Sequence, residues 1–156
     1  MQDFFKEAEN LMREQIGENS DIALATCRGG EVGVRTVNGH YRGGAVYILT
    51  NTATHKMKDL SQNPNAAVCK GMLQAEGNGE NLGNPLDEKN RTLREELKKA
   101  FASFYETDLN ESDPGCCILK ITLKSAVVFS KTAKYAVDFP NRAAQKFPFR
   151  NTVVYQ

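Results

Sequence analysis

A small closed barrel of antiparallel β-strands, mainly β with flanking helices, is the fold class this sequence predicts. Three observations carry that expectation. Short apolar or alternating runs recur from residue 21 to residue 130, most of them bounded by glycine-bearing turns. Only two long segments space their apolar residues helically, one at the N-terminus and one past the middle. No internal repeat, low-complexity tract or linker divides the 156 residues, so a single domain over 1–156 is expected.

Residues 1–16 read as an amphipathic helix: Phe4, Ala8, Leu11, Met12 and Ile16 share a face, and Gly17 is the stop. A first strand over 21–28 turns at Gly29-Gly30, and a second covers 32–38. Asn38-Gly39 and Gly43-Gly44 are turn signals, and 45–49 is a third strand. A polar turn, Thr50 to Thr54, then enters a short basic helix over about 53–62, which Asn63-Pro64 stops. Residues 66–70 and 72–83 read as strands, the second bent by Gly77, Gly79 and Gly83. Leu93, Leu97, Ala100, Phe101 and Phe104 mark the second long helix, with Glu95 and Lys99 as an i,i+4 pair. Residues 108–115 are polar and turn-rich. Residues 116–130 read as one long strand, or two meeting near Lys124-Ser125, with Cys117, Leu119, Ile121 and Leu123 facing the core. The tail from Lys131 reads as a last strand and an irregular segment.

Composition narrows the function classes. Hydrophobic residues make up 40% and charged residues 25%, as in ordinary globular proteins. A formal charge of +1 gives no global field to draw nucleic acid or a membrane surface, so an anion site must be local and its ligand small. No apolar run approaches the roughly 18 residues of a membrane span. The first seven residues lack the basic start and apolar stretch of a secretory signal, and a cytoplasmic location is expected. Cys27, Cys69, Cys116 and Cys117 form no CxxC pair, and only His40 and His55 join them. Neither a disulfide framework nor a metal site is expected.

The familiar catalytic motifs are missing. Gly77-Asn-Gly79 fails GxGxxG because Leu82 stands at the third glycine, and no Gly-Lys-Ser/Thr follows. There is no GxSxG or HExxH, and the carboxylate pairs lie on charged helix faces, so no residue is nominated as acid, base or nucleophile. What remains is Arg35-Thr36-Val37 on one strand and Thr50 to Lys56 after the next. If those strands are neighbours, an arginine, hydroxyls and a lysine converge on a helix start, the chemistry that holds a phosphate. A plainer reading fits equally: Thr52 or Thr54 caps the helix, and Lys56 and Lys58 are solvated.

An ordered set of residues carries a resemblance. Ile22-Ala-Leu-Ala-Thr26, a glycine turn, Val34-Arg-Thr-Val37, Val46-Tyr-Ile-Leu-Thr-Asn51, Thr54-His-Lys56, Leu60, Asn63-Pro64 and Glu76-Gly77 occur in order and at matching spacing. Together they resemble the pyridoxamine 5′-phosphate oxidase-like proteins, the FMN-binding split-barrel group. The resemblance implies a six-stranded antiparallel split β-barrel and a homodimer with FMN at the subunit interface. It implies an FMN-dependent oxidoreductase that exchanges a hydride or electrons directly with a small-molecule substrate. The implied cofactor-binding residues are Arg35, Thr36, Val37, Leu49, Thr50, Asn51, Thr54, His55 and Lys56.

The sequence also departs from the pattern. His55 replaces an arginine of the oxidases proper, and Met72 stands where they carry a glutamine contributed by the other subunit. Residues 134–156 do not resemble their arginine-rich substrate segment. The chain is therefore more similar to the nitroimidazole-reductase-like relatives than to a vitamin B6 oxidase, and its substrate is left open. Two other readings stand beside this one: an FMN-binding sensor or store without turnover, and a barrel that uses deazaflavin or haem.

Overall fold

Strand alternation builds the core of the computed structural model, which describes residues 2–150. In β1 (Ser20–Arg28), Ile22, Leu24 and Thr26 are buried while their neighbours are not. The next strands are β2 (Glu31–Arg42), β3 (Ala45–Asn51), β4 (Asn65–Lys70), β5 (Leu73–Asn81) and β6 (Cys116–Phe129). Antiparallel pairing runs β3-β2-β1-β4-β5-β6, and β6 returns to β3 from Ala45↔Thr122 to Asn51↔Cys116. That return closes a six-stranded barrel, as expected. Strands β7 (Ala133–Asp138) and β8 (Ala143–Pro148) extend the sheet from the far half of β6.

One seam of the barrel is open. β2 pairs with β1 from Arg28↔Glu31 to Ser20↔Gly39, but with β3 only from His40↔Tyr47 to Arg42↔Ala45. Residues 32–39 of β2 therefore have a strand on one side only, and this is the split. Elsewhere the barrel is tight. A bulge between Glu76 and Gly77 leaves Lys124 without an opposite residue. A Cβ on Gly77 would lie 2.2 Å from the Thr122 carbonyl oxygen, so the approach of these backbones requires glycine.

Helices seal what the strands leave open. α1 (Phe4–Ile16) starts where Asp3 accepts the Lys6 N–H and ends at Gly17, which has a φ of 66°. It packs Phe5, Ala8, Met12 and Ile16 into the main core. α2 (His55–Gln62) adds Met57 and Leu60 to that core, beside β1 and β5. A short 3₁₀ turn (Glu88–Asn90), α3 (Arg91–Ala100) and α4 (Tyr105–Asp108) follow. Leu97, Phe101 and Tyr105 form a second cluster with Ala45, Tyr47 and Ile118. That cover explains why β3 and the start of β6 are apolar on both faces. No helix of the described residues is long and apolar enough to cross a membrane.

The structure departs from several sequence expectations. Asn38-Gly39 lies inside β2, because Gly39 is the gap into which Ile22 and Val46 pack. The turn falls at Gly43-Gly44, both with positive φ. The second long helix stops at Ala100, and its stripe continues through turns into α4. Glu95 meets Arg94 at 3.3 Å, with no ion pair to Lys99. The tail holds two strands, and β6 is a single strand carrying the bulge.

Candidate functional site

The corner where β2 runs past the start of α2 gathers the charge. Arg35 stands opposite Leu24 of β1, so its side chain follows the inward face. Its Nη1 donates to Thr26 Oγ1 at 2.6 Å and reaches the Leu24 carbonyl at 3.4 Å. The Thr26 hydroxyl donates to Asp59 Oδ2 on α2 at 2.8 Å. Asp59 also lies 3.8 Å from Arg35 Nη2 and 3.7 Å from Arg28 Nε.

Lys56, the second residue of α2, is half-buried beside these groups. Burial holds its pKa below the ordinary lysine value, and the positive charge of Arg35 lowers it further. No carboxylate among the described residues lies within ion-pair distance of it, since Asp59 is engaged by the two arginines. Cys117 lies near Lys56, but burial pushes its thiol up to about 11, so it is neutral at pH 7 and no nucleophile. A half-buried ammonium next to a guanidinium, with no counter-charge of its own, is an arrangement that an anion completes.

The helix start is also open. Thr54 occupies the N-cap position, yet its hydroxyl donates backward to the Asn51 carbonyl at 2.7 Å and caps no N–H. The first turn of α2 carries no acidic residue. Its leading N–H groups and its dipole are therefore free to act on a ligand. This removes Thr54 from the plainer reading, in which it only capped the helix.

No protein-family model and no curated protein matches this chain. Solved structures do match. A NimC/NimA family protein from Clostridium acetobutylicum is 18% identical, with 94% of this chain and 96% of that one covered at a TM-score of 0.59. A structure described as a putative pyridoxamine 5′-phosphate oxidase from Listeria innocua is 14% identical, covering 76% and 94% at 0.59. An FAD-binding protein from Mesorhizobium loti is 15% identical, covering 76% and 91% at 0.61. The fold is the pyridoxamine 5′-phosphate oxidase-like split barrel. At these identities the likeness carries the fold and nothing finer.

Within the split barrel, the expected site residues separate by position. Arg35, Lys56 and the start of α2 converge, and Thr50, opposite Cys117, lies on the same inward face of β3 as Ile48. Exposed His55 stands at the rim, in a cavity of about 160 Å³ that it lines with Arg28, Glu31, Arg35 and Asp59. Thr36 is exposed and the Val37 side chain is buried, but both lie on the stretch of β2 that has no β3 partner, where the backbone edge is open. The side chains of Leu49 and Asn51 point elsewhere. Leu49 packs on the α3–α4 cluster. Asn51 accepts the Ala53 N–H at 2.9 Å and donates to Asp113 at 3.1 Å, ordering the turn. Met72 is exposed at the β4–β5 turn.

Sequence reasoning missed Thr26, Arg28 and Asp59. A signal existed for Thr26: alternation with Ile22 and Leu24 puts a hydroxyl on a core face, where it needs a partner. The outward face of β1, β2 and β4 was missed as a surface. Val32 and Val34 are 75% and 69% exposed there. Two grooves of about 510 and 520 Å³ run along it and share Ala25, Ala67, Glu76 and Ser125.

Proposed function

We propose that this split barrel binds FMN at the Arg35–Lys56 corner and serves, as a homodimer, as an FMN-dependent oxidoreductase for a small-molecule substrate. The observation that carries the reading is the half-buried Lys56 ammonium, with no carboxylate of the described residues in ion-pair range, beside Arg35 and an uncapped helix start. Lys56 and Arg35 neutralise the phosphate, and the first N–H groups of α2 and the Thr50 hydroxyl bond its oxygens. The open backbone edge of β2 at Thr36 and Val37 offers donors and acceptors to the polar rim of the ring. The bound flavin supplies hydride or electron transfer, and the protein binds, orients and shields it. No side chain is assigned a proton-transfer role.

The second subunit belongs to the same reading. Val32 lines both the outer groove and the small cavity at Arg35. A copy of the chain covering Val32 and Val34 would bury that exposed apolar face and reach the corner. A solved neighbour of this fold is described as FAD-binding, which supports a flavin-type ligand. Haem fits less well. The His40 ring is buried against Phe101 and Tyr47 with Nδ1 at 2.9 Å from the Glu18 carbonyl, and His55 is an exposed residue lining the small cavity.

The test compares Lys56→Ala with wild type. FMN binding should weaken by about 1–3 kcal/mol, the scale of a lost charged hydrogen bond, and riboflavin binding much less. Equal losses for both ligands would remove Lys56 from the phosphate. Reoxidation of the reduced bound flavin by candidate acceptors then separates an enzyme from a store, which would react slowly with all of them.

A further inference from the structure

Thr26 and Asp59 are polar residues that folding alone does not favour where they stand. Thr26 is 2% exposed and Asp59 is 8% exposed. A carboxylate so placed destabilises the fold unless partners engage it, and Asp59 has Thr26 at 2.8 Å with Arg28 and Arg35 flanking it. The carboxylate accepts, so the Thr26 hydroxyl gives it its only proton. The hydroxyl oxygen then has nothing but lone pairs to offer Arg35, whose Nη1 stands 2.6 Å away. The order Arg35 to Thr26 to Asp59 thus fixes the direction of each hydrogen bond. It ties one edge of the guanidinium to β1 and α2, while the side chain stays 25% exposed.

We infer that Thr26 and Asp59 are positioning residues: they hold the Arg35 guanidinium next to Lys56, where the ligand's anionic group is taken, and so set selectivity for a phosphate-bearing over a phosphate-free flavin. The inference rests on the FMN reading above. Without the pair, Arg35 would rotate freely along the open seam of β2 and would have to be ordered anew by each ligand. Fixed in advance, it adds to phosphate binding and leaves ring binding untouched.

The experiment titrates wild type, Thr26→Val, Thr26→Ser and Asp59→Asn with FMN and with riboflavin, and follows thermal unfolding alongside. Thr26→Val keeps the shape and removes the hydroxyl. It should weaken FMN about tenfold, the scale of one lost hydrogen bond to a charged group, and leave riboflavin within about twofold. Thr26→Ser, which keeps the hydroxyl, should bind FMN as wild type does. Asp59→Asn should lower the FMN-to-riboflavin preference in the same direction, because its amide also donates to Thr26 and competes with Arg35. Unchanged FMN binding in Thr26→Val overturns the inference. So do equal losses for both flavins, or a Thr26→Ser protein as impaired as Thr26→Val, since either gives Thr26 a merely structural part. If Thr26→Val does not fold, an unchanged flavin preference in Asp59→Asn overturns it. Wild type that takes up neither flavin overturns the FMN reading itself, a different result from wild-type uptake with unaffected variants.

Discussion

Lys56 owes its character to its surroundings, and those surroundings make its behaviour with pH testable. Burial and Arg35 hold its pKa below the roughly 10.4 of a free lysine. Between that lowered value and about 10.4 the unfolded chain binds more protons at this position, so the contribution of Lys56 to stability rises with pH. A bound phosphate reverses the preference by favouring the ammonium. FMN affinity should therefore fall as pH rises through the alkaline range below about 10.4, while riboflavin affinity shows no such fall. Titrations at a series of alkaline pH values read this directly, and parallel curves for the two ligands would detach Lys56 from the phosphate. At this scale the meeting of Arg35 with Lys56 at the start of α2 was legible, because their order along the chain follows a recognisable pattern. Leu49 and Asn51 were read into the same set although strand alternation turns the two neighbours of Thr50 to the opposite face. Asp59 was illegible, because nothing in a basic helix distinguishes a buried carboxylate from a solvated one.

Elements are set by packing that the sequence encodes only in part. An apolar run turned at Gly29-Gly30 marked β1, period-two alternation marked the core face of β6, and Gly43-Gly44 marked the β2–β3 turn. Asn38-Gly39 has the composition of a turn, yet Gly39 serves contact between Ile22 and Val46, a non-local demand that local signals cannot register. Gly77 is its counterpart in β5. Gly77→Ala should destabilise the fold by at least about 1–3 kcal/mol in chemical denaturation, because the atom in the way is a backbone oxygen. A change below a few tenths of a kcal/mol would mean the bulge relaxes freely. Leu97, fully buried on the inner face of α3, gives the matching test of the second cluster. Leu97→Ala should cost about 2–5 kcal/mol, and a near-neutral result would show that α3 and α4 add little to the barrel.

Across the whole molecule, closure depends on β3 finding β6 about seventy residues later, between Ala45↔Thr122 and Asn51↔Cys116. Strand number was close to legible in the sequence, whereas that register and the three-pair contact of β2 with β3 were not. The split follows from this unequal pairing, and it leaves the β2 edge open beside the start of α2. The exposed Val32 and Val34 face is the other feature of this scale, and a lysine there would be buried without a partner in a dimer. Val34→Lys should shift the protein toward monomer in light scattering and weaken FMN together with dimerisation. A Val34→Lys protein with unchanged mass and affinity would place the subunit contact on another face. FMN binding itself is tested most directly by the visible absorption spectrum of the purified protein, followed by titration with FMN. One FMN per chain should be taken up saturably, at about micromolar concentration, with a perturbed flavin spectrum. A colourless protein that takes up no FMN at that concentration would contradict it.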